Sequence, residues 1–322
     1  MLDPSENEYV TWFPCVLKDW IGSGYMEQSV SSVLQPLLLL LVFLLLIYCL
    51  ALGILICYAC TFYLYIWKKQ YNIHGDICNE LWSKPRRIMA NILDLYGKIW
   101  HGYEIIGMEH LPEGPGLIVF YHGAMVFDFA FFVAKFYANT GRLVHSVIHC
   151  FFHLIPGIKL FFKVTGCIEG NQANCVELLK KGHLVGIAPG GLREQNFSDE
   201  NYNLEWGTRT GFAQVALKSK VPIIPLFTQN LREAYRTVGK TRLSRWLYEH
   251  FKLLVLPIYG GFPVKLRTYI GEPIPYDPNV TAKELAEKTK IAMENLRDRY
   301  QKRPGNILRA LLERFDKNEK DA

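Results

Sequence analysis

His122 and Asp128 stand six residues apart in FYHGAMVFDF, residues 120–129, with almost nothing polar between them. A neutral imidazole can take a proton from a hydroxyl. A nearby carboxylate can fix its tautomer and stabilise the imidazolium that forms. Six residues on one continuous helix rotate by about 600°, which leaves the two side chains roughly 120° apart. They can therefore meet only if His122 lies in a loop and Asp128 in the helix that follows. Gly123 permits a sharp exit from a strand ending at His122. The alternative is a buried, satisfied histidine followed by a helix-end aspartate. The spacing alone does not separate the two.

A second group is IAPGGLRE, Ile187–Glu194. Pro189, Gly190 and Gly191 let backbone approach a ligand closely, and their exposed N–H groups suit an anion or oxyanion. Arg193 is suited to a phosphate. Glu194 is suited to a hydroxyl, or to anchoring Arg193. An ordinary tight turn is the plain alternative. Arg209, just before the helix that Gly211 and Phe212 open, is a third candidate for phosphate, or a solvated surface residue. His145, His149 and His153 have the spacing of metal ligands on a helix. Their surroundings, HSVIHCFFHLIPG, are too β-branched and aromatic for that, so no metal is expected. P-loop, dinucleotide and G-x-S-x-G signatures are absent.

These residues need a scaffold. Short apolar runs predict strands at Tyr103–Met108, Leu117–Phe120, Leu143–Ile148, 183–189, 221–229 and within 262–274. The run at Leu117–Phe120 is continuous, as in a strand covered on both faces. Helical patterns fall at Phe127–Ala138, Cys175–Lys181, Gly211–Lys218, Ala282–Tyr300 and Ile307–Phe315. Alternating strands and helices predict an α/β domain over residues 103–322, with a mostly parallel sheet flanked by helices. In an open sheet of this kind ligands bind at the carboxyl ends of strands, where His122 and Pro189 would lie.

Upstream the chain changes character. Residues 1–30 form an acidic leader. Pro36–Trp67 carries no charge and exceeds the ~20 residues that cross a bilayer. It predicts a membrane segment over 31–69, as one long helix or a hairpin bent near Gly53. Its flanks are acidic before, and basic after, at Lys68, Lys69, Lys84, Arg86 and Arg87, which puts the C-terminal domain in the cytosol. Residues 70–102 hold an amphipathic helix, Pro85–Trp100. Its stripe of Ile88, Ile92, Tyr96 and Ile99 fits either a membrane interface or packing on the domain.

Bulk properties narrow the class. The 36 basic and 30 acidic residues give +6. That excess is mild and unclustered, which excludes a dedicated nucleic-acid binder and suits an anionic membrane or substrate. The eight cysteines form no disulfide framework, as in a reducing compartment.

The order GMEHLPEGPGLIVFYHGAMVFD, IAPGGLRE, VPIIPLFTQ, YIGEPIPYD resembles the glycerolipid acyltransferase superfamily, the lysophospholipid acyltransferase-like group, over about residues 103–275. The P-G-G-x-x-E and R-x-G-F forms look like its diacylglycerol acyltransferase branch. The resemblance implies an endoplasmic-reticulum membrane enzyme making triacylglycerol from acyl-CoA and mono- or diacylglycerol. It requires no cofactor beyond acyl-CoA as co-substrate. It implies His122 as general base, Asp128 as its orienting partner and the Pro189–Glu194 turn as the site of the glycerol or phosphate portion. It also implies that Ile223–Leu226 line the acyl path. Two features depart from the family pattern. Five residues separate His122 from Asp128 where four are usual, and P-G-G replaces the usual P-E-G-T. The second change favours a neutral acceptor. A lysophospholipid or glycerophosphate acyltransferase is the alternative enzyme, and an inactive lipid-binding relative is the alternative outside catalysis.

Overall fold

The computed structural model describes residues 55–73, 80–149, 155–237, 241–251 and 258–315, with scattered positions between 34 and 44. The chain divides into two units, Met1–Ile56 and Cys57–Ala322. The acidic leader and much of the apolar tract before residue 55 lie outside the described residues. Leu34, Leu37, Leu40, Leu41 and Leu44 are helical and exposed. No helix among the described residues is long and apolar enough to cross a membrane. The membrane segment expected over 31–69 therefore rests on sequence alone.

The second unit is built on a seven-stranded sheet. Its strands are β1 Glu104–Ile106, β2 Gly116–Phe120, β3 Val144–Ile148, β4 Cys167–Glu169, β5 Leu184–Ile187, β6 Ile223–Gln229 and β9 Arg267–Ile270. Their order is β1-β9-β6-β2-β5-β3-β4. Neighbours pair parallel except β6 with β9. A two-stranded antiparallel ribbon, β7 Tyr235–Thr237 and β8 Ile258–Gly260, lies outside this sheet.

After a helical segment at 55–70, the helices are α1 Ser83–His101, α2 Phe127–Thr140, α3 Lys159–Val164, α4 Gln172–Lys180 and α5 Gly191–Phe197. They continue with α6 Gly211–Ser219, α7 Leu231–Ala234, α8 Arg242–Phe251, α9 Ala282–Tyr300 and α10 Ile307–Leu312. Asn171 caps α4, and Thr281 with Glu284 forms a capping box on α9, which satisfies N–H groups that have no intrahelical partner.

Successive strand residues point to opposite faces, and β2 shows why its apolar run is continuous. Leu117 and Val119 pack in one core with Phe212, Leu179 and Met293. Ile118 and Phe120 pack in the other with Phe129, Phe132 and Phe136. Ile223, Ile224 and Leu226 of β6 divide between the same two cores and are fully buried. They are walls of the two cores.

α1 corrects an open reading. Its buried face is Pro85, Arg86, Ala90, Gly97 and His101. A Cβ on Gly97 would come within 3.2 Å of the Phe131 ring, so small residues let α1 pack tightly on α2. The apolar stripe faces outward, with Ile92 and Ile99 each 63% exposed.

Candidate active site

β2 ends at Phe120, and the chain leaves the sheet through Tyr121, His122 and Gly123 before α2 begins. The turn is tight because a Cβ on Gly123 would lie 2.6 Å from the Leu231 side chain. His122 is half-buried. Its Nδ1 lies 2.8 Å from the carbonyl oxygen of Gly123. A carbonyl can only accept, so Nδ1 carries the proton and Nε2 keeps its lone pair. Desolvation holds the ring well below the ordinary histidine range, at about 4, and the nearby Arg232 charge adds to this. The imidazole is thus neutral at physiological pH, with Nε2 in the form that accepts a proton.

Asp128 sits in the first turn of α2 and is buried. α2 lies close against the sheet here. Phe129 stacks on Phe120 with ring centroids 3.8 Å apart, and Gly186 leaves the space that Phe129 fills. The Asp128 carboxyl bonds to Thr228 of β6, and burial raises its pKa to about 7. Thr228 continues to Thr268 at 2.9 Å, and Thr268 to the Tyr103 hydroxyl at 2.8 Å. No hydrogen bond joins His122 to Asp128 in this structure, and Asp128 Oδ1 has no partner. The carbonyl of Gly123 holds the imidazole tautomer instead.

The P-G-G segment is not only a turn. Gly191, at φ +48°, opens α5. α5 carries Glu194 inward to full burial. Glu194 Oε2 accepts the backbone N–H of His122 at 2.8 Å, and Oε1 accepts that of Glu205 at 3.2 Å. Burial raises its pKa to about 7, against the two N–H bonds and the Arg232 charge. Gly190 is the residue that permits this, because a Cβ there would lie 2.3 Å from that of Glu194. Arg209 reaches back from before α6 and donates through Nη1 to the carbonyls of Pro189 and Gly190, at 2.8 and 2.6 Å. Arg193 pairs with Glu205 at 3.4 Å rather than with Glu194.

Sequence reasoning missed Arg232. It follows β6 in α7, 1% exposed, and its guanidinium ties the site together. Nε donates to the Tyr121 hydroxyl at 2.9 Å. Nη1 donates to the Gln195 carbonyl at 3.2 Å. Nη2 donates to the carbonyls of His122 and Glu194, at 3.1 and 2.6 Å. Its own backbone N–H donates to Tyr202, whose hydroxyl donates to Glu233. The one sequence signal was a basic residue just past a strand end, where ligands bind in such sheets. The rejected histidine spacing at 145, 149 and 153 does not fall on one helix, since His145 belongs to strand β3, and His153 lies outside the described residues.

The arrangement holds a neutral imidazole beside fixed backbone, with its free nitrogen able to deprotonate a hydroxyl. The acyltransferase family profile matches residues 102–229. A mouse protein named "DGAT1/2-independent enzyme synthesizing storage lipids" is 47% identical over 318 residues, covering 97% of this chain and 94% of its own. The human protein of that name is 48% identical over 307 residues, covering 93% of each chain. The crystal structure of the 1-acyl-sn-glycerophosphate (LPA) acyltransferase PlsC from Thermotoga maritima superposes with a TM-score of 0.49 at 14% identity, covering 76% of this chain and 96% of that one. Near-full-length identity to the two mammalian proteins, with the family profile lying over His122, Asp128 and the P-G-G helix, shows that this chain belongs to the acyltransferase family.

Proposed function

We propose that the protein moves a fatty acyl group from acyl-CoA to the hydroxyl of mono- or diacylglycerol, making triacylglycerol for storage. His122 Nε2 takes the hydroxyl proton as the oxygen attacks the thioester carbonyl. A C–O ester bond forms and the C–S bond breaks. The leaving thiolate takes the proton back from the imidazolium and departs as free coenzyme A. No acyl-enzyme forms. The Gly123 carbonyl orients the ring through Nδ1; Asp128, with one oxygen unpartnered, would take over that role only once Nδ1 leaves the carbonyl.

The observation that carries the neutral acceptor is the state of the arginines. Arg232 spends its guanidinium on Tyr121 and three carbonyls, Arg209 on Pro189 and Gly190, and Arg193 on Glu205. A phosphate-bearing acceptor would need a cation presented to it. Arg232 is thereby used inside the protein, and Arg209 and Arg193, though exposed, are already engaged by two carbonyls and a carboxylate. The names of the mammalian relatives support the storage-lipid product.

The reaction takes place at the endoplasmic reticulum membrane with the catalytic domain facing the cytosol. The exposed apolar stripe of α1 and the basic surface at Lys68, Lys69, Lys84 and Arg87 support this orientation. Purified protein offered labelled acyl-CoA with equal diacylglycerol and lysophosphatidate should label triacylglycerol. Label in phosphatidate would assign the lysophospholipid reading instead. The missing His122–Asp128 bond favours an inactive lipid-binding relative, and that reading requires no label in either product.

A further inference from the structure

A cavity of 280 Å³ opens at the other end of the sheet, lined by Arg86, Arg142, His145 and His183 with Gly141, Leu143, Gly182 and Leu184. β5 separates it from the active site. Leu184 lines the cavity, and Pro189 follows the far end of that strand, roughly 16 Å away at ~3.3 Å per residue. None of the residues that hold His122 belongs to it.

The cavity is polar in one sense only. No carboxylate lines it. His145 is 5% exposed, and its ring nitrogens make no well-formed hydrogen bond, with the Gly166 carbonyl in reach of the ring. His183 stands edge-on to it, with ring centroids 4.9 Å apart, and offers no bond. Buried polar groups in folded proteins are rarely left this way, and one that lines a cavity marks a place for a ligand or ion. Arg142 donates to the carbonyls of Pro112 and Gly114, which uses two of its five N–H groups. Those bonds fix the guanidinium at the cavity wall.

Charge decides the sign of the ligand. The carbonyl ends of α2 and α4 precede Gly141 and Gly182 and supply about half a negative charge each. Two guanidinium groups outweigh them. A transition metal fits poorly, because two imidazoles are too few, and no group of three or more His, Cys, Asp or Glu among the described residues could hold one. Size decides the kind of anion. The volume falls just below the ~300–1,000 Å³ of ordinary small-molecule sites. A phosphate group fits, whereas an acyl chain has neither the room nor the apolar wall.

We infer that Arg86, Arg142, His145 and His183 form a second binding site, for a phosphate group, apart from the acyl-transfer site. The phosphate belongs to a soluble compound or to a lipid headgroup. Arg86 links the cavity to the segment nearest the apolar tract, through its Nε bond to the Val164 carbonyl at 2.7 Å. Val164 packs there with Leu64, Ile73 and Trp82.

The test uses the detergent-purified full chain and two variants, His183→Glu and His145→Phe. His183→Glu puts a negative charge at a half-buried position. His145→Phe removes both nitrogens and keeps a ring. Calorimetry with inorganic phosphate is run beside binding to vesicles of phosphatidylcholine with and without phosphatidate. Saturable phosphate binding that weakens at least ten-fold in both variants assigns a soluble phosphate compound. Binding that requires phosphatidate and weakens likewise assigns a lipid headgroup. Acyl transfer by His183→Glu should stay within two-fold of wild type in either case. Binding of neither probe by wild type overturns the inference, as does equal binding by wild type and both variants.

Discussion

The backbone N–H of His122 donates to Glu194 Oε2 at 2.8 Å across 72 residues of sequence. A buried carboxylate, not a turn, therefore sets where the histidine sits. Arg232 closes the arrangement by taking the carbonyls of both residues. The histidine loop and α5 are fixed to one another before any substrate arrives, which is the preorganisation that proton transfer needs.

Arg232→Met should loosen this junction. It leaves the carbonyls of His122, Glu194 and Gln195 buried with fewer donors. Each buried group left unpaired costs ~1–3 kcal/mol, so a total loss of about 3 kcal/mol or more is expected. At ~2–4 °C per kcal/mol for a domain of this order, Tm should fall by roughly 6 °C or more, with acyl transfer largely lost. Thermal melts in detergent check this. A Tm within 2 °C of wild type would contradict it.

Gly190→Ala tests the closeness of α5 to the turn. The added Cβ would lie 2.3 Å from that of Glu194, whereas a Cβ at Gly114 meets nothing within 4 Å. Overpacking of this kind costs about 1–3 kcal/mol. Gly190→Ala should lower both stability and transfer, and Gly114→Ala should match wild type in both. Equal behaviour of the two variants would show that the fit around Glu194 is slack.

The pH dependence follows from signs. His122 is depressed to about 4 from 6.5. The unfolded chain then binds more protons between those values, and this group's share of stability is lost as pH falls from 6.5 towards 4. Its ring should titrate near 4 by NMR of histidine-labelled protein, and a midpoint at 6.5 would refute the buried neutral base.

Glu194 has the opposite sign. Its pKa is raised to about 7 from 4.5, so the folded state holds the extra proton and loses stability as pH rises through that window. The stability of wild type minus that of Glu194→Gln should shrink between pH 5 and 7.5, by up to about 3 kcal/mol. Urea titrations at the two pH values measure it. A difference that grows with pH would contradict the assignment.

The α1 face gives a spatial prediction. The proposed seating of the α1 face on lipid requires that an environment-sensitive dye on Ile99→Cys shift to the blue when the protein is reconstituted in vesicles. The same dye at Glu177, exposed on α4, should keep its emission in water. Matching spectra at both positions would remove α1 from the membrane surface.

Much of this was legible in the chain. The apolar run of β2, the helices from Phe127 and Ala282, and the parallel order all follow from periodicity that core packing preserves. α5 was not legible, because Pro-Gly-Gly normally stops regular structure. Here the glycines serve the close approach of Glu194. Arg232 was hidden for another reason. The partners of its guanidinium lie 37 to 111 residues away, and nothing local marks them. The pairing expected of His122 and Asp128 followed from residue types. The structure gives the tautomer to Gly123, one residue away, and turns Asp128 towards Thr228.

The most direct measurement is triacylglycerol formation from labelled acyl-CoA and diacylglycerol by purified wild type and His122→Ala. Removal of the general base should cut the rate by ~10²–10⁴-fold, with Tm close to wild type. Triacylglycerol made by the folded His122→Ala protein at the wild-type rate would contradict the account.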